Sequence, residues 1–239
     1  MATNTTTRSV RPERGGLTAE RVIGGAVDLA DEIGIEAFTI RRLADAIGVK
    51  PMTIYHHVPG KDAIIDGMVD RVFGEIDLPP VEENWRSAIL VRCRSMRGVL
   101  ARHPWAAPLM ESRTSPGPAT LRHHDAVLGC FHRAGFSLEL TGHAYAVIDA
   151  FLYGFALQEA TLPATSGDEM ADLAGSMTER MPNDAFPYLA EFATDHVLQP
   201  GYDFGREFDF GINLILDGLA ALANDDARGA SVGRSFVGT

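Results

Sequence analysis

The sequence predicts an all-α protein, a small N-terminal helical unit followed by a larger helical body, and three observations predict it. Apolar residues recur at three- and four-residue spacing along the chain, with no alternating run long enough for a useful strand. Proline and glycine break these runs at helix-sized intervals: Pro59-Gly60, His103-Pro104, Pro116-Gly117-Pro118, Gly135, Pro163, Pro182 and Pro200-Gly201. At 239 residues, 46% hydrophobic and 22% charged, the chain has ample material for a buried core of ordinary composition.

The elements follow in order. Residues 1–16 are polar, carry Arg8, Arg11 and Arg14, and read as a flexible arm. Thr18 caps a first helix whose apolar face is Val22, Ile23, Ala26, Val27, Ala30 and Ile33, ended by Gly34. Thr39 caps a short second helix, Ile40 to Ile47, and Gly48 closes it. Pro51 suits the first turn of a third helix running to about His57, because an N–H there has no intrahelical partner. After Pro59-Gly60 a fourth helix runs from Lys61 to about Glu75.

Beyond the linker "DLPPVEEN", helices are expected near 83–102, 106–112, 117–134, 137–161, 168–178, 187–198 and 203–223. Ser166 with Glu169 three residues on has the pattern of a capping box, near the start of the helix expected at 168–178. The expected division is an arm at 1–16, a first unit at 17–75, a body at 76–223 and a disordered small-residue tail at 224–239.

Charge is uneven along this chain. The total is −11, yet residues 1–61 hold eight Lys/Arg against seven Asp/Glu, a net +1, which leaves −12 for the remainder. Lys50 and Lys61 are the only lysines, and both lie in "IGVKPMTIYHHVPGK". An acidic body repels nucleic acid, so any phosphate contact belongs to the N-terminal unit.

Within that unit, "TIRRLADAIGVKPMTIYHHV" reads as two helices crossing at a tight turn. Ala44 is small where the helices approach, and Gly48 supplies a left-handed turn conformation. Leu43, Ile47, Val49, Ile54 and Val58 are spaced to share a small core. Met52, Thr53, Tyr55, His56 and His57 then point outward. Arg41, Arg42, Lys50 and Lys61 surround that face, with Thr39 at the start of the second helix. This is the layout of a helix-turn-helix, whose second helix enters the major groove while flanking cations hold phosphates. The alternative is an ordinary αα-hairpin with a solvated polar face.

At these residues a family resemblance is visible. "FTIRRLADAIGVKPMTIYHHVPGKDAIIDGMVD" resembles the DNA-binding domain of the tetracycline-repressor (TetR) family. In that resemblance Tyr55, His57 and Lys61 stand where the family's phosphate- and DNA-contacting Tyr, His and Lys stand. "ENWRSAILVRCRSMRGVLARHPW" and "LGCFHRAGFSLELTGHAYAVIDAFLYGFALQE" resemble the C-terminal domain of the tetracycline repressors. The resemblance implies a homodimer with two reading heads on double-stranded operator DNA, and a ligand-binding, dimerising body that lets go when a small-molecule effector binds.

Two charges in the body break its apolar pattern. Arg92 falls inside the stripe Trp85, Ile89, Met96, Val99, and Asp149 is the only charge in "AYAVIDAFLYGFAL". Each needs a partner, which is either the other, a tyrosine, or a ligand. By resemblance, Arg92 and Met96 stand where the tetracycline repressors line their drug pocket, and Met110 replaces that pocket's metal-coordinating histidine. Trp105, Arg113, Leu128, Phe131, Tyr145 and Asp149 are further candidates for its wall. The last helix presents Phe204, Phe208, Gly211, Ile212, Ile215, Leu219 and Leu222, a face broad enough to serve a dimer.

Other function classes find little support. Adjacent histidines, His56-His57 and His123-His124, do not share a helix face, and no zinc or redox spacing occurs, so no metal and no cofactor are expected. Cys93 and Cys130 suit a reducing cytoplasm. No signal peptide is recognisable and no apolar run is expected to reach membrane-spanning length, so no membrane role is anticipated. An all-helical enzyme built on Asp149, a tyrosine and a histidine lacks any nucleophile–base spacing. A DNA-binding regulator without an effector is the nearer alternative.

Overall fold

The computed structural model describes residues 16–162, 172–173, 175–176, 186–199 and 201–234. Among them every regular element is helical. Thr18 Oγ1 accepts from the Arg21 amide at 3.2 Å and starts α1 (Ala19–Ile33), whose buried stripe is Val22, Ala26, Val27, Leu29 and Ala30. Ile23 and Ile33, expected in that stripe, are only partly buried.

Thr39 Oγ1 caps α2 (Ile40–Ala46) in the same way, through the Arg42 amide at 3.2 Å. Gly48, at φ 71°, turns the chain so that the Val49 amide reaches back to Ala44 O at 2.9 Å. Pro51 then opens α3 (Pro51–Tyr55). This helix is shorter than the sequence suggested: the amides of His57 and Val58 both fold back on Ile54 O, at 2.9 and 3.0 Å. Gly60 adopts φ 114°, and α4 (Lys61–Gly74) follows.

Leu43, Ala44, Ile54, Phe38 and Ile64 are essentially sealed from solvent, with Ile47 and Val49 half-buried around them. Ile47 lies against Gly25 so closely that a Cβ there would overlap it, which explains a glycine in the middle of α1.

In the body Asn84 caps α5 (Trp85–Arg102) through the Ser87 amide at 3.0 Å, and a short α6 (Ala107–Met110) follows. Helices α7 (Pro118–Arg133) and α8 (Leu138–Thr161) are joined at Gly135, φ 82°. Next come α9 (Pro187–Phe192), which runs into a single π turn at Ala193–Val197, and α10 (Gly205–Arg234).

Three expectations change here. The last helix continues through Arg234, so the tail expected from 224 is helical over its first eleven residues. By length and composition α8 is apolar enough to cross a bilayer, contrary to the sequence reading; it instead buries Leu140, Ala144, Ile148, Asp149, Leu152 and Phe155 inside the body. The face of α10 is split: Phe208, Ile212, Leu216 and Leu219 turn inward, where Phe208 and Phe204 meet Phe155 at 5.2 and 5.0 Å between ring centroids. Left outward are Phe210, Leu214 and Leu222, with Val147 and Leu157 on α8. The arm at 1–15 and the capping box at Ser166 lie outside the described residues, as does most of the helix expected near 168–178.

The N-terminal unit is joined to the body by polar contacts as well as by packing. Asp70 of α4 accepts from both the amide and the hydroxyl of Thr120, at 2.8 and 2.9 Å. It thereby caps the start of α7, whose own N-cap position is Gly117 and has no side chain to do so. His103, 6% exposed, lies between two carboxylates: Nδ1 is 2.7 Å from Asp31 Oδ1 and Nε2 is 3.2 Å from Glu75 Oε2. Arg102 donates to Glu75 at 2.9 Å, and the Trp105 indole donates to Asp31 at 2.6 Å. Burial works to raise the Glu75 pKa, but the hydrogen bonds and charges of Arg102 and His103 outweigh it and hold the carboxyl below its ordinary range.

Candidate nucleic-acid interface and ligand cavity

At the N-terminal unit, α3 buries Ile54 and turns its remaining side chains out. Met52 is 67% and Tyr55 44% exposed, His56 and His57 are exposed, and Thr53 is half-buried. On so short a helix this leaves apolar and aromatic surface facing outward. The cations expected around them, Arg41, Arg42, Lys50 and Lys61, are all exposed.

Two of these cations also have structural work. Lys61 Nζ donates to Phe38 O at 3.3 Å, and Arg42 Nη1 donates to Ala37 O at 3.0 Å. Both bonds tie the cation to the loop ahead of α2 and leave further N–H groups to face outward. Thr39 accepts from an amide, so its hydroxyl hydrogen remains available as a donor.

In the body a cavity of about 480 Å³ opens between α4, α6, α7 and α8. Met110, Arg113, Leu128 and Tyr145, all expected in a wall, line it. Asp66 and Val69 of α4 also line it, together with Glu111, Ser115, Pro116, Thr120, His124 and Gly142, which the sequence reading missed. The available signal was Asp62, Asp66 and Asp70, three carboxylates at four-residue spacing on one face of α4. Such a stripe needs partners, and Arg113 supplies one, 2.5 Å from Asp66 and 3.6 Å from Asp62.

Five expected wall residues lie elsewhere. Met96 is wholly buried in the core. Trp105 spends its indole N–H on Asp31 of α1. Phe131 packs on Trp85 and Phe136, at 6.0 and 5.1 Å. Arg92, 1% exposed, and Asp149 find each other at 2.9 Å. Burial opposes the Arg92 charge, and the Asp149 carboxylate more than restores it.

The pair recruits a third member. Arg92 Nε and Nη2 both point at His123 Nε2, at 3.1 and 3.0 Å. Two donors on one nitrogen require a lone pair there, so His123 is neutral with its proton on Nδ1. Burial, then the Arg92 charge, push its pKa down to about 3. His123 Nδ1 and Asp149 Oδ2 are left buried without a hydrogen-bond partner.

In front of this cluster, His124 Nδ1 is hydrogen-bonded to the Tyr145 hydroxyl at the cavity wall. Burial lowers the pKa of His124 and raises that of Tyr145, so both meet the cavity uncharged. Phe73 of α4 packs on both histidine rings, at 5.3 and 5.4 Å. No group of three or more metal-ligating side chains occurs among the described residues.

Comparison with known proteins decides the family. Residues 22–68 match the family described as bacterial regulatory proteins, tetR family, and residues 78–223 match the tetracyclin repressor-like C-terminal domain. The chain belongs to the TetR family. The resemblance read from the N-terminal motif is therefore borne out, as is the all-helical architecture with its helix-turn-helix region.

An HTH-type transcriptional regulator of Saccharopolyspora erythraea is 32% identical over 226 residues, covering 89% of this chain and 91% of that one. The class A tetracycline repressor from transposon 1721 of Escherichia coli is 30% identical, covering 85% and 91%. Among solved structures, the TetR family protein ActR of Streptomyces coelicolor in complex with actinorhodin superposes with a TM-score of 0.71 at 27% identity, covering 87% and 99%. The relatives are named as transcriptional regulators and repressors, and this TetR-family protein is accordingly a DNA-binding transcriptional repressor.

Proposed function

We propose that the protein is a ligand-responsive repressor, which binds a palindromic operator as a homodimer and is released when a small molecule fills the cavity between α4 and α8. Residues 17–75 serve as the reading head and 76–223 as the effector-binding and dimerising body. One observation carries this proposal: α4 belongs to both functional surfaces. Its first residue, Lys61, flanks the exposed face of α3, while Asp66 and Val69, a turn and two turns on, form the cavity wall. A ligand that displaces the Asp66–Arg113 pair or presses on Val69 moves the helix that carries the head. Differential affinity for that moved state is all that release requires.

The heads read DNA through α3. Thr53, Met52 and His56 face base edges, and Arg41, Arg42, Lys50, Tyr55, His57 and Lys61, with Thr39, hold the backbone. Dimerisation uses the outward face of α8 and α10, where Val147, Leu157, Phe210, Leu214 and Leu222 are 44–69% exposed. The related ActR, crystallised with actinorhodin, supports a small-molecule effector for the body. The repressor works in the cytoplasm, where its operator is.

The test is release from DNA. A duplex selected from random sequence by the protein itself is titrated with a small-molecule library, and anisotropy reads the bound fraction. Compounds that release the wild type should lose roughly tenfold or more in potency on Leu128→Trp, whose indole occupies the cavity. Compounds acting equally on both would place the effector site elsewhere.

A further inference from the structure

The cavity's charges say more about its ligand than its shape does. Of the ionisable side chains that line it, Arg113 is already committed to Asp66 at 2.5 Å and to Asp62 at 3.6 Å. His124 and Tyr145 are uncharged for the reasons given above. The buried guanidinium of Arg92 is outside the lining, sealed in the core and held by Asp149. Among the described residues this leaves Glu111, exposed at the end of α6, as the one charge in the lining with no opposite charge within ion-pair distance. The wall is therefore net negative by one unit, within a body that is itself acidic. It offers a free counter-charge to a cation and none to an anion.

Resting on the assignment of this cavity as the effector site, we infer that it selects a cationic ligand: a molecule with an apolar body and a protonated amine, the amine paired with Glu111. The apolar body lies against Val69, Met110 and Leu128. His124 and Tyr145 add neutral hydrogen bonds to polar groups on its inner edge. An organic cation fits better than a metal ion, since no third metal-ligating side chain joins Glu111 among the described residues.

Three planar probes with one skeleton separate charge from shape: 9-aminoacridine as the cation, acridine as the neutral form and acridine-9-carboxylate as the anion. They are titrated calorimetrically into the full chain at mildly alkaline pH. The expected order of affinity is cation, neutral, anion. Glu111→Gln should weaken the cation by roughly fivefold and leave acridine unchanged, as expected for a partly solvated ion pair. An anion that binds as tightly as the cation, or a Glu111→Gln protein that keeps the original preference, overturns the inference. A third arm uses Leu128→Trp. If it leaves all three affinities intact, or if no probe binds the wild type, the cavity assignment itself has failed rather than the charge preference.

Discussion

The chain contains two His-His pairs, and they have opposite fates. His56-His57 sits at the end of a five-residue helix, exposed, among cations that face solvent. His123-His124 sits in the middle of α7, with one ring sealed against Arg92 and Phe73 and the other closing on Tyr145. The dipeptide is the same; the environment decides its chemistry. Where side chains find no partner within the chain, they are available to a partner outside it. Where they are buried, desolvation forces them neutral, and each ring gives one nitrogen to a partner inside the chain.

The largest effect that can break this contrast lies in the buried cluster. Arg92→Leu should destabilise the fold by about 3–5 kcal/mol in urea titration, because it strands the Asp149 carboxylate in the core. Replacing both, Arg92→Leu with Asp149→Leu, should recover most of that loss. A single variant as stable as the wild type would mean that the Arg92–Asp149 pair adds nothing net to stability. Next in size, His123→Phe should cost about 1–3 kcal/mol by leaving two Arg92 donors without an acceptor. Its operator affinity per folded molecule should not change.

In the head the effects should fall on binding instead. Thr53→Ala is expected to cost about 1–3 kcal/mol at particular base pairs, measured on singly substituted duplexes. Lys61→Ala should weaken all duplexes alike and flatten the salt dependence. Loss of the Lys61 bond to Phe38 O will add a small stability cost, visible as a lower unfolding midpoint.

The smallest effect is at the junction. The folded pKa of Glu75 lies below its ordinary value, so its stabilising contribution is present above the unfolded pKa and disappears as pH falls through the folded one. Glu75→Gln should therefore lower the unfolding midpoint at neutral pH, and the difference from wild type should vanish in acid, below both pKa values. A difference that persists there would assign Glu75 a packing role rather than an electrostatic one.

The same contrast explains what was legible in the sequence. Helix positions followed from caps and breakers, because Thr18, Thr39, Gly48 and Gly60 act on their immediate neighbours. The exposed face of α3 was legible for the same reason: period and turn alone fix which side chains point out. Arg92 and Asp149 were visible as misplaced charges, but their pairing was one option among several, since contacts across 57 residues of chain leave no local trace. His123 was missed as their third member. The cavity was read only in part, because its α4 wall depends on how the head docks onto α7 through Asp70 and Thr120. The end of α10 was misjudged because small residues such as Ala227 and Gly229 lack an apolar period, while the backbone there remains helical.

The most direct test of the division between head and body is a paired comparison on one selected duplex and one random duplex, by fluorescence anisotropy. His56→Ala/His57→Ala should reduce the selected-over-random affinity ratio by roughly tenfold or more, with its unfolding midpoint unchanged. His123→Phe should keep that ratio and unfold at lower denaturant. A head variant that still discriminates between the duplexes, or a body variant that loses discrimination at full stability, would contradict the division.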